Sequence, residues 1–186
     1  MIRNQTTIVL TIAAVAAVAA FAFACSGNKP PTTPSQSAQP QKTQAPPDAP
    51  AALPNTAFKA EISLIDPPAK LRAGQKETVR VKIKNASTET WWARGAQVNT
   101  RPDNKFYIAA GDRWLKADGS LMTDMDGRYG IGKDLKPGEE TEVPLAVTAP
   151  KDPGEYTLEV DLVQEQVAWF REKGSPTAKA KVTVTK

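Results

Sequence analysis

Hydrolysis and group transfer need a poised nucleophile or an acid–base pair. The chain has no histidine and a single cysteine, Cys25. The commonest general base and metal ligand is therefore missing, and no internal disulfide can form. Carboxylates or a Ser/Lys pair remain. Asp161 and Glu165 flank Gln164 close to Trp169, and two carboxylates beside an aromatic ring are the equipment of a glycosidase. Glu159 and Asp161, however, alternate with the apolar set Tyr156, Leu158, Val160 and Leu162. They fall on the opposite strand face, where solvated charge is the simpler account. Asp118, Asp124, Asp126 and Asp134 could bring oxygen ligands to calcium, yet Asp124-x-Asp126-Gly127 lacks the later glutamate of a calcium loop. Arg80, Lys82 and Lys84 form a basic stripe that could meet anionic polymer or lipid headgroups, or serve as edge protection on a solvated face. Gly127, Gly130 and Gly132 precede no helix, so no phosphate loop is present. The chain is expected to be no enzyme, with no metal and no cofactor.

The elements that must position these residues are strands. Phe58, Ala60, Ile62 and Leu64 alternate with Lys59, Glu61 and Ser63. The same period of two recurs at Val79–Val81–Ile83, Val143–Leu145–Val147, Tyr156 to Leu162 and Ala180–Val182–Val184, which is the pattern of half-buried antiparallel strands. Turns rich in Pro, Gly and Asp separate them, and Asp118-Gly119 predicts a tight hairpin. Trp91 and Trp92 are adjacent, so on a strand one ring enters the core and the other points outward or under a loop. Val98 is expected in a short strand or loop, and residues 124–132 as a glycine-broken loop. Pro144 inside a strand pattern predicts an edge position or a bulge. No helix is expected. The fold class is all-β: a sandwich of about seven to nine antiparallel strands over residues 58–186.

Residues 1–57 carry a different composition. Met1–Thr7 holds Arg3 and no acid, Ile8–Ala24 is almost wholly apolar, and Ala22-Phe23-Ala24 precedes Cys25. This is the order of a signal peptide ending at residue 25; the alternative is an uncleaved membrane anchor. The segment resembles a bacterial lipoprotein precursor, which implies cleavage before Cys25, lipid on its thiol and, with Ser26 following, an outer-membrane destination. Ala22-x-Ala24 also suits ordinary signal peptidase and a secreted product. Residues 26–57 are Ser, Thr, Gln, Ala and Pro, with eight prolines. Such a stretch cannot bury enough surface to offset its ordering entropy, and a semi-rigid tether is expected. The formal net charge of +4 is small and interspersed, which argues against nucleic acid as partner.

Several segments together resemble one family: Lys84 to Trp91, Arg113 to Gly119, Leu135 to Glu139, Ala149 to Leu158, and Asp161 to Glu165 followed by Trp169-Phe170. They are similar to immunoglobulin-like or fibronectin-like sandwich modules of bacterial surface proteins. Such modules are also appended to some bacterial glycosyltransferases and methyltransferases, with a distant relative in the middle of autophagy cargo receptors. The chain departs from the pattern at Trp91-Trp92, where one tryptophan is usual, and near Gln166, where glycine is usual. The resemblance implies a binding, spacing or scaffold module with no catalytic residues. The expected function is a non-catalytic envelope lipoprotein that binds or supports a protein or glycan partner; the alternatives are a purely structural spacer and a carboxylate-dependent glycan hydrolase. The expected contact residues are Trp92, Tyr107, Trp169, Phe170 and Arg171, and the expected lipidation site is Cys25.

Overall fold

Alternating burial organises the chain into two facing sheets. The structure, a computed structural model, describes residues 50–93 and 104–186; Cys25, Val98 and the first 49 residues lie outside them, as do the side chains of Met125 and Asp126. The strands are β1 (Ala60–Ile65), β2 (Lys70–Arg72), β3 (Lys76–Asn85), β4 (Ile108–Lys116), β5 (Leu121–Gly130), β6 (Glu140–Thr148), β7 (Gly154–Gln164), β8 (Ala168–Trp169) and β9 (Ala178–Thr185). One sheet has the order β1-β3-β6 and the other β2-β9-β7-β4-β5, with β8 pairing β7 beyond the end of β9. Among the described residues the helical elements are 3-10 turns, including Asn55–Ala57 and Phe170–Lys173. None is long and apolar enough to cross a membrane.

The predicted periodicities set the core. Val79, Val81 and Ile83 of β3 and Val143, Leu145 and Val147 of β6 face Leu158, Val160 and Leu162 of β7, Trp114 of β4 and Val182 and Val184 of β9, all buried. Each such side chain contributes about 1.5–3 kcal/mol on leaving water. Pro144 lies on β6, an edge strand, where its missing N–H costs no ladder bond. Its exposed face continues into Glu140 and Glu142.

Three features differ from the expectation. β2 pairs β9 in parallel, where antiparallel strands were expected: the chain leaves β1 at Asp66-Pro67-Pro68 and crosses to the other sheet. Residues 124–130 are strand, not loop: β5 pairs β4 on both sides of an irregularity between Gly111 and Arg113. There β5 bulges toward β6, and Gly127 lies so near the Ala146 carbonyl oxygen that a Cβ would collide with it. Packing also begins before Phe58. Leu53 rests on the core, and Ala57 is fully buried.

The stripe Arg80, Lys82, Lys84 is neutralised by its neighbours. Arg80 pairs Asp66 at 3.1 Å, Lys82 pairs Glu140 at 2.8 Å and Lys84 pairs Glu61 at 3.1 Å. The Glu140 carboxylate holds the Lys82 ammonium above its ordinary pKa, first by hydrogen bonding and then by charge. The cross-strand pairs leave little net field for an anionic surface.

Candidate functional site

The outward face of the five-stranded order carries a layer of charge around Trp169. Register builds it. Gly111 of β4 lies between Arg128 of β5 and Asp161 of β7, while Arg113 lies opposite Glu159, which in turn faces Lys179 of β9. The β7–β8 hairpin sets Trp169 beside Val163. The Trp169 ring reaches across to Gly111, where an added Cβ would stand 2.8 Å from its Cη2. The absent side chain at Gly111 is what seats the ring. The Arg128 and Arg171 guanidinium carbons lie 4.9 and 4.7 Å from its centroid, within cation–π range.

Each guanidinium is also held by an acid. Arg128 donates to Glu165 at 2.6 Å, and Arg171 to Asp161 at 3.1 Å. Asp161 further accepts the backbone N–H groups of Leu162 (2.7 Å) and Arg171 (3.2 Å), which ties the 3-10 turn to β7. Arg113 Nε donates to Glu159, whose other oxygen accepts from the Thr177 hydroxyl (2.6 Å) and the Lys179 ammonium (3.1 Å). Glu159 and Asp161 are therefore not solvated, contrary to the expectation: they are 3 % and 2 % exposed. They do share the outward face, but Trp169, the 3-10 turn and the cationic side chains cover it.

Burial pushes both carboxyls up, with different outcomes. At Glu159 the hydrogen bonds from Thr177, Arg113 and Lys179 outweigh burial and hold the pKa at about 2. At Asp161 burial prevails over the N–H groups of Arg171 and Leu162 and the Arg171 charge, and the pKa is raised. Two close carboxyls pushed apart in pKa are what acid–base catalysis requires. Here both are engaged in internal ion pairs on a sheet face.

The expected contact residues do not share one surface. Trp169 and Arg171 meet in this layer, half-buried. Phe170 is corrected: it is fully buried, edge-on to Phe58 and Trp91 with centroids 5.0 Å away in each case, because successive residues turn to opposite faces. Trp92 and Tyr107 are half-buried at the end of the sandwich where β4 begins, and the Trp92 carbonyl accepts from Ile108 N–H. Trp91 is the core partner of the pair, its indole donating to the Ala57 carbonyl at 3.3 Å. Arg128, Arg113, Lys179 and Thr177 were missed; the bulge hides the period of β5, and the others are contributed across strands. Of the acidic residues offered for calcium, the Asp126 side chain lies outside the described residues, and two of the others are engaged by backbone N–H groups. Asp118 accepts Ser120 N–H and Asp134 accepts Ala93 N–H, and among the described residues no three potential ligands gather.

The segments behind the family resemblance have physical roles. Asn85, fully buried, donates to the carbonyls of Glu89 and Leu135 at 2.8 Å each and accepts from Ser87 N–H and Oγ. It thereby shapes the loop that delivers Trp91. Gln166 takes φ +60°, the left-handed conformation in which glycine is at ease.

Fold and site together define an immunoglobulin-like all-β sandwich module. No protein-family model and no curated protein matches the sequence. Among solved structures, the chain is similar to the CARDB domain of PF1109 from Pyrococcus furiosus. The solution structure is 14% identical with TM-score 0.39, covering 68% of this chain and 94% of that one. The crystal structure with di-metal ions is 13% identical with TM-score 0.41, covering 68% and 93%. A β-glucosidase from Listeria innocua in complex with glucose is 18% identical with TM-score 0.39, covering 69% of this chain and 16% of the enzyme. Likeness at this level does not reach function, since one fold hosts many.

Proposed function

We infer that this protein is a non-catalytic module of the bacterial cell envelope, anchored to the outer membrane through lipid on Cys25 and held off it by a tether, and that it binds or supports a protein partner. The observation that carries the reading is the layer around Trp169. Its acids are already engaged by cations, which suits contact better than hydrolysis. Two guanidinium groups lie over the ring, so a bare aromatic face for stacking on sugar is not on offer. Half-buried tryptophan and arginine are the residue types enriched in interface anchors, which favours a protein partner. The glycan reading is accordingly second. A spacer without a partner is favoured by one observation, the loss of Phe170 to the core.

The test uses the full chain in a Gram-negative host. Fatty-acid labelling that disappears in Cys25→Ser supports the anchor, and persistent labelling or none removes it. A photo-crosslinking residue at position 171 is expected to give a discrete protein adduct that the same residue at position 151, in a remote turn, does not give. Equal patterns at both positions would favour the spacer, and enrichment on purified peptidoglycan lost in Trp169→Ala would favour the glycan.

A further inference from the structure

The inward face of β7 runs Tyr156, Leu158, Val160, Leu162 and then Gln164, which is polar, fully buried and directly opposite Ile108. Burying a carboxamide is costly unless its groups are bonded. Three bonds are made. Nε2 donates to the carbonyls of Ala51 (2.7 Å) and Phe106 (2.9 Å), and Oε1 accepts the Leu53 N–H (2.9 Å). Two of the three therefore go to the backbone on either side of a single residue, Ala52. A carboxamide used in this way replaces the peptide group of a neighbouring strand, and it reads an extended backbone without regard to side chains.

Two further observations mark a built site. Phe106, which supplies the other carbonyl, holds φ +75°, a strained conformation for an aromatic residue and one found at ligand clamps. Reciprocal bonds fix it in place: Phe106 N–H to the Glu165 carbonyl, and Glu165 N–H to the Tyr107 carbonyl, both 3.0 Å. The occupant, moreover, belongs by composition to the tether. Ala51, Ala52 and Leu53 lie between Pro50 and Pro54, and Leu53 packs against the core.

We propose that Gln164 and the Phe106 carbonyl form a docking site for an extended peptide backbone, occupied by the chain's own Ala51–Leu53, which locks the tether to one end of the sandwich. The ligand class is a short extended segment flanked by prolines and carrying one apolar anchor. The lock sets where the tether meets the sandwich: at the end that holds Trp92 and Tyr107, leaving the turns at residues 73–75, 117–120 and 149–153 at the other end.

The test measures amide hydrogen exchange in the full-length protein. In Gln164→Ala, exchange at the Leu53 amide is expected to accelerate about tenfold or more, the loss of one hydrogen bond, with Ile83 and Leu158 unchanged. Leu53→Pro removes the same donor from the tether side, together with the Leu53 side chain's contact with the core, and leaves every residue of the sandwich itself unchanged. It is expected to speed protease cleavage at Ala51–Ala52 and to lower the denaturation midpoint only slightly, with the Ile83 and Leu158 amides still protected. Unchanged Leu53 exchange in Gln164→Ala would overturn the lock. So would a loss of core protection in Leu53→Pro, because the segment would then be part of the cooperative core.

Discussion

Replacing Glu159 by glutamine is expected to reduce the domain's loss of stability in acid. The side chain is 4 % exposed and is surrounded by Arg113, Lys179 and Thr177. Burial raises its pKa, but the three donors outweigh it and bring the group from its ordinary 4.5 to about 2. A depressed folded-state pKa contributes stability that is complete above the ordinary value and is lost as pH falls through that interval. At ~1.4 kcal/mol per pH unit the interval corresponds to ~3 kcal/mol. That figure is a ceiling on the cost at neutral pH, because Arg113 and Lys179 are 26% and 55% exposed and regain water once the charge is gone; a loss of about 2 kcal/mol is expected. Asp161 acts in the opposite direction. Its pKa is raised, first by burial, so its contribution is complete below the ordinary carboxylate value and is lost as pH rises through the folded one. Urea denaturation followed by tryptophan fluorescence, from neutral pH downward, separates the two. The wild-type midpoint should fall with acid, Glu159→Gln should flatten that fall and meet the wild type near the bottom, and Asp161→Asn should steepen it. A Glu159→Gln profile that runs parallel to the wild type throughout would refute the placement of Glu159 among three donors.

Gly127→Ala drives a Cβ into the Ala146 carbonyl and should cost about 3 kcal/mol, seen as a lower thermal midpoint with an unchanged strand signature in circular dichroism. Asn85→Ala takes one donor each from the Glu89 and Leu135 carbonyls, which keep Ser87 Oγ and Trp91 N–H as partners, and takes the acceptor of the Ser87 N–H; a loss of about 1–3 kcal/mol is expected, with Trp91 fluorescence shifted to the red as its loop loosens. Gly111→Ala should tilt the Trp169 ring off β4 at a cost of about 1–2 kcal/mol, leaving Ile83 and Leu145 amides as protected as before.

The strands with a strict period of two, β1, β3, β6, β7 and β9, were legible because a facing sheet imposes that period on the sequence. β5 was not, since its bulge changes the phase in mid-strand and its glycines read as a loop. The outward face of β7 misled for a related reason. Glu159 and Asp161 were placed on the correct side, but the residues that cover them arrive from the hairpin after β7 and from β4 and β9, which no local pattern encodes. Trp91 and Trp92 were divided between core and surface by simple alternation; Trp169 and Phe170 obey the same alternation, which was not applied to them. The docking of Ala51–Leu53 is invisible in a stretch whose composition is that of its tether. The one signal was Gln164, a polar residue in step with an apolar series.

The crossing of the chain from β1 to β2 has a bearing on synthesis. Leu71 pairs with Val184, and the Thr185 hydroxyl reaches the Leu71 carbonyl across 114 positions of sequence. β9 also supplies one flank of β7. The second sheet therefore lacks an interior neighbour until the last residues of the domain have been made. Pairings so distant are slow to form, and a chain emerging from the ribosome at about 5–20 residues per second remains without its closing strand for most of its elongation. A polypeptide with this topology cannot complete its second sheet before β9 has been made.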